Sequence, residues 1–386
     1  MTGTTIAQGL PDLVNRVRSA KAPGGRVLSI YLNTSPERMR GGAHVLRLRD
    51  GCKALRDDID DAEAERFESA VAQAEACLAE TPVQGHPGVA IFAGGTRDYF
   101  YTAPLPGCPE EIVVWEEQPA LVPLYELLDN FERFAVLLFD YQQARLLTIY
   151  MGEIEATQSI EHDVPRKQAT GGWYSLAQTH MARHREEHAI RHAKRAIAAL
   201  MEDLRARPFD RLILGGPEEA VSMLRSHLPR PLKARLAGSI QVELFATDAA
   251  VLREAQQVVA TIERETELAQ VRELMDAAAT PHVVLGAEAT LRALAVGRVH
   301  LLFLAEGILS HGVACRVCGR LLVTGDRCSS CGGPTRPVDD LREEIVSQAL
   351  EHGAHIEFLS GEAAGLLLTQ DGLGGGRGIE AGMSRR

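Results

Sequence analysis

The chain has 386 residues, of which 45% are hydrophobic and 24% are charged, and its formal net charge at pH 7 is −11. This composition is ordinary for a globular protein, and the length allows two or three domains, each with its own core. The chain opens with no basic segment followed by an apolar run, and no stretch is long and apolar enough for a membrane span. We therefore expect a cytoplasmic protein with no membrane partner.

Apolar spacing along the first third of the chain predicts an α/β domain at residues 1–130. The predicted elements are a helix through Leu10 and Val17, a strand at 27–32, a basic helix at 45–56, an acidic helix at 62–79, and strands at 88–92 and 99–103. Residues 118–130 read as a linker that ends in a helix.

The remaining elements predict two more α/β domains, at residues 131–270 and 271–386. The middle domain has strands at 134–140, 145–150, 211–214 and 241–245, one long helix at 176–205 and a helix at 249–278. The C-terminal domain has strands at 283–286, 299–304 and 356–359 and a helix at 339–352. The glycine-rich tail, residues 372–386, is expected to be poorly ordered. The predicted fold class is thus α/β, as three consecutive domains.

Four cysteines near the C-terminus form two C-x-x-C motifs separated by nine residues. They are Cys315, Cys318, Cys328 and Cys331. Each motif places two thiolates on one tight turn, and the intervening length suits a hairpin that closes a tetrahedral site. Because sulfur fills all four positions, none is left for a reactive water, so we predict a structural Zn²⁺ in a ribbon at residues 311–336. Two disulfides or a redox pair are the weaker alternative, because the other three cysteines are scattered.

A polar loop centred on two adjacent glycines leads into the long predicted helix of the middle domain. Its central residues are Thr170, Gly171, Gly172, Trp173 and Tyr174. Adjacent glycines give access to positive φ and allow the backbone to approach a large partner closely. Exposed aromatic rings beside them can stack on bases or dock in a protein groove. A Gly-Gly pair alone is a weak signal, so an ordinary loop with both rings folded onto the domain stays open as an alternative.

Two basic islands stand out in this acidic chain and predict contacts with RNA phosphates. One lies in the long helix after the Gly-Gly loop and contains Arg183, Arg185, Arg191, Lys194 and Arg195. The other, between residues 38 and 56, has six Lys or Arg against Asp50 and includes Arg38, Arg40, Arg47 and Arg49.

Histidines recur at every fourth position of the long helix and so share one face. They are His180, His184, His188 and His192. We favour a solvated or RNA-facing stripe over a second metal site, because the cationic flanks would repel a metal ion.

The order of these parts resembles that of the archaeal and eukaryotic class I peptide chain release factors, of Pelota, and especially of their bacterial relatives, which include the Balon-like ribosome hibernation factors. The resemblance covers essentially the whole chain. It is carried by VLSIYLNT at residues 27–34, by the Gly-Gly-Trp loop, by residues 286–307 and by the position of the cysteine ribbon. It implies a ribosome A-site ligand whose middle domain reaches toward the peptidyl-transferase centre. As partners it implies the ribosomal RNA of both subunits and an elongation-factor-type GTPase such as elongation factor Tu.

The sequence departs from the release factors at two places. They carry Gly-Gly-Gln at the loop tip, where the glutamine helps to place the water that hydrolyses peptidyl-tRNA. Here Trp173 holds the third place, and the nearest following glutamine is Gln178. The stop-codon-reading signature Asn-Ile-Lys-Ser is also missing from the first domain. Codon-specific termination is therefore not expected.

Two functions of different class follow. In the first, which we favour, a non-enzymatic factor occupies the A site of idle or stalled ribosomes. Its Gly-Gly loop, residues 171–174, plugs the active centre, and its first domain, residues 1–130, lies on the decoding side with residues 38–56 touching the decoding region. In the second, a peptidyl-tRNA hydrolase frees nascent chains, with Gly171, Gly172 and Gln178 orienting water. A third reading, an α/β scaffold with a structural zinc and no RNA partner, is disfavoured by the two basic islands.

Overall fold

A computed structural model of the chain describes residues 6–22, 25–57, 59–80, 86–108, 110–161, 176–308, 311–338 and 340–376. For residues 6–9, 80, 161 and 176–186 it describes the backbone alone. The chain divides into two compact units, one formed by Met1–Asn130 with Glu267–Ala381 and the other chiefly by Phe131–Thr266. Within the described ranges, no helix combines the length and apolarity needed to cross a bilayer.

The N-terminal part of the first unit is built around an antiparallel sheet. Its elements are α1 (Ile6–Ser19), β1 (Val27–Asn33), α2 (Pro36–Arg40), α3 (Ala43–Arg56), α4 (Asp61–Glu80), β2 (Gly88–Ala93), β3 (Phe100–Leu105), β4 (Ile112–Glu116) and α5 (Val122–Asn130). The strand order is β3-β2-β1-β4. One face of the sheet packs on α3 and α4, where the rings of Phe67 and Trp115 meet edge to face at 5.5 Å.

The second unit is a five-stranded sheet with helices on both faces. Its elements are β5 (Phe134–Phe139), β6 (Gln143–Tyr150), β7 (Glu153–Glu161), α6 (Leu176–Ala206), β8 (Arg211–Gly215), α7 (Glu218–His227), α8 (Arg230–Lys233), β9 (Leu236–Ile240) and α9 (Asp248–Asp276), which runs on into the first unit. The order is β7-β6-β5-β8-β9, with β5, β8 and β9 parallel. The central strand β5 is buried throughout because alternate side chains pack under α6 and α7 on one face and under α9 on the other.

The C-terminal part of the first unit is a four-stranded mixed sheet that carries the cysteine ribbon. Its elements are β10 (Val283–Leu285), α10 (Ala287–Leu294), β11 (Leu301–Ala305), β12 (Gly312–Cys315), β13 (Leu321–Leu322), β14 (Thr335–Val338), α11 (Leu341–Glu351), β15 (His355–Leu359), α12 (Gly361–Leu368) and β16 (Leu373–Gly376). The main sheet has the order β10-β16-β11-β15, and the ribbon is the small sheet β13-β12-β14. The α/β class is confirmed; the division into three domains at 130 and 270 stays a prediction.

The glycine-rich start of the tail was expected to be poorly ordered, and for residues 373–376 that is wrong. They form β16, which pairs with β10 on one side and β11 on the other. A Cβ on Gly375 would lie 2.7 Å from the carbonyl oxygen of Leu301, so glycine is needed for this close approach. Residues 377–386 lie outside the described part.

The strand predicted at 241–245 is also wrong, because pairing with β8 ends at Ile240. Val242 and Leu244 pack against the α9 side of the sheet without a strand partner, so their alternation reflects burial alone. Phe245 is 79% exposed.

The helix predicted at the end of the segment 118–130 is present as α5, but the linker assignment is wrong, since the segment belongs to the packed core of the first unit. Leu124 is fully buried. The backbone N–H of Val122 donates to the Glu343 carboxylate of α11 at 2.7 Å, and Arg342 pairs with Glu126 of α5. The segment is therefore tied to the C-terminal part by polar side-chain contacts in a low-dielectric setting.

The Glu343 carboxyl group lies beside a cavity of about 590 Å³ within the first unit. Desolvation raises the pKa of this carboxyl to about 8, and the negative charges of Asp340 and Glu116 add to the shift, against the backbone N–H bonds of Val122 and Leu121 that lower it. The native state thus binds a proton more tightly than the unfolded state does. Stability linked to this proton is present at low pH and is lost as pH rises toward 8.

We expect Glu343→Gln to remove this pH dependence, since the amide oxygen still accepts the Val122 N–H but carries no charge. At pH 8 to 9 the variant should be more stable than the wild type by about 1–3 kcal/mol, and near pH 5 the two should be equal. Chemical unfolding at a series of pH values measures this. Glu351→Gln, at the exposed end of the same helix, is the control and should keep the wild-type profile. Parallel profiles for wild type and Glu343→Gln would contradict the prediction.

Candidate RNA-binding surfaces and metal centre

The Gly-Gly loop connects β7 to α6 in the second unit. Its residues 170–174 lie outside the described part, and Gln178 falls in the first turn of α6, where the backbone alone is described. The last residue of β7, Glu161, pairs with Gln143 at the start of β6, beside the end of β5. The parallel strands β5, β8 and β9 end at the same edge. The loop therefore leaves the sheet at its carboxyl edge, where α/β sheets commonly hold their ligands.

Two exposed aromatic residues at this edge were not found from the sequence. Tyr141, in the turn after β5, is 44% exposed, and Phe245, after β9, is 79% exposed. Phe245 lines a cavity of about 280 Å³ together with Arg145 and Ser159. The signal was hidden because the alternation around Phe245 was taken for a strand.

Helix α6 is amphipathic over the part whose side chains are described. Its buried face carries Ala189, Ala193, Ala196 and Leu200, which pack on the sheet. Its exposed face carries Arg191, Lys194 and Arg195. For Arg183 and Arg185 the structure describes the backbone only. The predicted cationic surface is thus solvent-facing wherever side chains are described, and its contact with RNA stays a prediction.

The histidine stripe on α6 does not face solvent along its whole length. His192 is fully buried, and its ring stacks on Phe139 at 5.1 Å with an interplanar angle of 19°. His192 therefore belongs to the core of the second unit. The idea of a continuous solvated stripe is wrong at this position.

The N-terminal basic island lies on α2 and α3. The side chains of Arg38, Arg40, Arg47 and Arg49 are all exposed. Gly42 lies between the two helices with φ of 65°, a conformation that favours glycine. We call the surface of α2 and the start of α3 around this glycine the α2–α3 corner. Leu46 of α3 is 60% exposed.

Acidic residues of α4 partly offset the charge of α3 through ion pairs that the sequence did not predict. Arg49 pairs with Glu75 at 3.3 Å, and Arg56 makes two hydrogen bonds to Glu68 at 2.6 and 2.8 Å. The hydrogen bonds lower the pKa of Glu68 and raise that of Arg56. The arginines nearer the α2–α3 corner are accordingly better placed for a phosphate partner than those at the end of α3.

The four cysteines of the two motifs come together in the ribbon, as their spacing predicts. Their sulfur atoms all lie within 4.8 Å of one another, and the pairs Cys315/Cys331, Cys318/Cys331 and Cys318/Cys328 are separated by 3.4, 3.6 and 3.7 Å. Four sulfurs at about 2.3 Å from a central Zn²⁺ would be about 3.8 Å apart, so the set fits a tetrahedral ion. Among the described residues this is the group of side chains that can hold a metal.

The backbone of each turn donates hydrogen bonds that favour thiolates. The N–H groups of Cys318 and then Val317 lower the pKa of the Cys315 thiol to about 6. The N–H of Cys331 is the main cause of the lowered pKa at Cys328. At Cys331 the N–H of Gly333 also lowers the pKa, but hydrogen bonds to the other sulfurs outweigh it and raise the pKa to about 12. Metal binding to such a site displaces the thiol protons that remain.

Comparison with known proteins finds a family resemblance for the middle of the chain. Residues 119–260, which contain the Gly-Gly loop and α6, match the sequence model of bacterial archaeo-eukaryotic release factor family 10. The match covers 142 of the 386 residues. The release-factor resemblance predicted from the sequence is therefore confirmed.

Individual relatives of this family are distant in sequence. Peptide chain release factor subunit 1 of Methanopyrus kandleri is 23% identical over 335 residues, covering 80% of this chain and 77% of the relative. The uncharacterized protein YocB of Bacillus subtilis is 21% identical over 239 residues, covering 59% of this chain and 92% of YocB. The crystal structure of the archaeal translation termination factor aRF1 aligns with 19% identity, 96% coverage of this chain, 97% coverage of aRF1 and a TM-score of 0.27.

Proposed function

We propose that the protein is a ribosome-binding factor that occupies the A site of idle or stalled ribosomes, in hibernation or rescue, without reading a codon. The family match supports a role in translation, since the matched segment includes the Gly-Gly loop and α6. Loss of glutamine from the third loop position and absence of the codon-reading signature support binding over termination. Such a role would keep the protein in the cytoplasm.

The observation that carries this proposal is the exposed cationic face of α6. Arg191, Lys194 and Arg195 point to solvent on a helix whose other face is buried in the sheet. Lysine and arginine side chains that neutralise RNA phosphates release bound counterions, and this contact does not depend on the base sequence. Such binding suits a ligand of ribosomal RNA. The same helix follows the Gly-Gly loop directly, so loop and cationic face would meet one partner.

The length of α6 agrees with a reach toward the peptidyl-transferase centre. It has 31 residues, and a helix of that length spans about 46 Å. In the proposal, Thr170 to Tyr174 enter the large-subunit active centre, and the α2–α3 corner with Arg38, Arg40 and Arg47 touches the decoding region. Delivery by an elongation-factor-type GTPase such as elongation factor Tu is a further element, supported by the family resemblance alone.

The proposal includes a structural Zn²⁺ held by the four cysteines of the ribbon. An all-sulfur tetrahedral donor set suits zinc, and it leaves no ligand position for a substrate or water. When bound, the ion would supply cross-linking of the ribbon and no reaction chemistry. It would join β12, which contributes Cys315, to the second turn, which contributes Cys328 and Cys331.

Peptidyl-tRNA hydrolysis is the second candidate. It is favoured by the name of the matched family and by the position of Gln178, which falls in the first turn of α6 shortly after Gly171 and Gly172. In this reading the displaced glutamine would take the role of the third loop residue in Gly-Gly-Gln.

The proposal is tested by charge reversal on α6. We expect Arg191→Glu with Lys194→Glu to weaken pelleting with purified bacterial ribosomes roughly tenfold, and to reduce the slope of log affinity against log salt by about 1–2. Arg253→Glu, on α9 at the opposite face of the same sheet, is the control; this arginine is 68% exposed. Equal salt slopes for the α6 variant and the control would contradict the proposed α6 contact.

A further inference from the structure

The cysteine ribbon is a third basic island, which neither the sequence motifs nor the proposed function uses. Residues 311–338 contain Arg316, Arg320, Arg327 and Arg336 against a single acid, Asp326, in a chain whose net charge is −11. Arg336 is engaged inward, since it pairs with Glu344 of α11 at 3.3 Å. Three arginines are left on the outer part of the ribbon.

Backbone hydrogen bonds hold these three arginines close together. The carbonyl oxygen of Arg320 accepts the Cys315 N–H at 2.9 Å, which closes the first cysteine turn around Arg316. The N–H of Arg316 donates to Pro334 at 2.9 Å, and Arg327 is bridged to that same proline. The ribbon therefore fixes three cationic residues on two neighbouring turns.

The outer surface of the first turn is open to a partner. Arg316 and Arg327 are exposed, Arg320 is half-buried, and Val317 between the cysteines is 68% exposed. The sulfurs of Cys315 and Cys328 are buried and accept backbone N–H bonds, so they lie beneath this surface. For Arg316 and Arg320, the described residues supply no side-chain partner that would occupy the guanidinium.

We infer that this ribbon surface binds RNA phosphates, with Arg316, Arg320 and Arg327 as the contacting residues. Guanidinium groups match phosphate oxygens in two-point geometry, and a rigid turn holds them with little loss of entropy on binding. An acidic protein surface would also attract these arginines, and cross-linking separates that partner from RNA. The inference rests on the proposed function, in which the RNA is ribosomal.

The experiment measures ribosome pelleting across a salt series for the wild type and for Arg316→Gln, Arg320→Gln and Arg327→Gln combined. We expect the triple variant to lose roughly 10- to 100-fold in affinity near 0.1 M salt, and its salt slope to fall by about 2–3. The matched control combines Arg272→Gln, Arg292→Gln and Arg298→Gln, which removes the same charge from the same unit outside the ribbon. A combined Arg→Lys variant at the three ribbon positions should retain most of the salt slope. Metal content and melting temperature show that the ribbon remains folded.

A cross-linker identifies the partner class directly. Benzoylphenylalanine placed at Val317 should give an RNase-sensitive adduct with ribosomal RNA on irradiation. An adduct with a ribosomal protein alone would overturn the assignment to RNA. If the wild-type protein pellets with ribosomes but the ribbon variant and its control have equal salt slopes, the inference is overturned and the proposed function is left intact. Absence of wild-type pelleting at every salt concentration would contradict the proposed function, and the inference with it.

Discussion

Replacing Cys318 by serine should remove the bound metal and unfold the cysteine ribbon. Structural Zn²⁺ contributes an apparent binding free energy of about 10–16 kcal/mol in small zinc domains, so losing one of four thiolates removes much of the stability of the site. Ala314, Leu321 and Val338 of the ribbon belong to the core cluster of the first unit. The loss should therefore reach beyond the ribbon, and we expect the melting temperature of this unit to fall by roughly 10 °C.

Metal analysis and calorimetry check this prediction. Protein purified without chelator should contain about one zinc per chain, and Cys318→Ser should contain almost none. Cys77→Ser, on α4 and outside the ribbon, is the matched control and should keep both zinc and melting temperature. A metal-free wild type, or a Cys318→Ser variant with wild-type zinc, would sink the prediction. Iron in place of zinc would correct the metal and retain the four-sulfur site.

Helices and strands with strong local patterns were predictable from the sequence. The basic and acidic helices α3 and α4 and the long helix α6 were found to within a few residues, because their periodicity and end signals are local. The cysteine site followed from spacing alone, because two C-x-x-C turns constrain four sulfurs before any tertiary contact forms. These parts depend little on distant residues.

Elements whose identity depends on a distant partner were not predictable in the same way. Residues 373–376 were expected to be poorly ordered, yet they form a central strand because β10 and β11 supply hydrogen bonds on both sides. Residues 241–245 alternate like a strand, but no strand lies beside them. His192 was assigned to a solvated stripe, although the sheet that buries it is formed by residues some fifty positions earlier, such as Phe139. In each case tertiary pairing overrode local pattern.

In the candidate site too, features set by local sequence were predictable and features set by tertiary packing were not. The sequence located the cationic residues of α3 and α6 but not the acids that face them, such as Glu68 opposite Arg56. That pairing requires α3 and α4 to be packed on one sheet. The exposed ring of Phe245 at the carboxyl edge was missed for the same reason, because the edge exists only once β5, β8 and β9 are aligned.

A peptide-release assay separates the plug from the hydrolase. In a hydrolase, aligned attack on the ester needs a preorganised group at the reacting carbon, so Gly172→Ala or Gln178→Ala should abolish most of the release from a stalled ribosomal complex. In the proposed plug, release stays at background for wild type and variants alike. We expect the plug outcome because Trp173 stands where the release factors have glutamine, and an indole has a donor but no acceptor with which to hold a water.

Inhibition of A-site tRNA binding gives the plug a positive readout. Stacking of an aromatic ring on a base contributes about 1–3 kcal/mol, so Trp173→Ala should weaken this inhibition roughly tenfold or more. Gln178→Ala is the control and should inhibit as the wild type does, since a plug makes no use of a water-positioning amide. Catalytic peptide release that disappears in Gln178→Ala would reverse the ranking and make the displaced glutamine the active residue. A third outcome is that Trp173→Ala inhibits A-site tRNA binding as strongly as the wild type and that no variant releases peptide. That result would indicate that the ribosome is contacted by the cationic face of α6 and not by the loop.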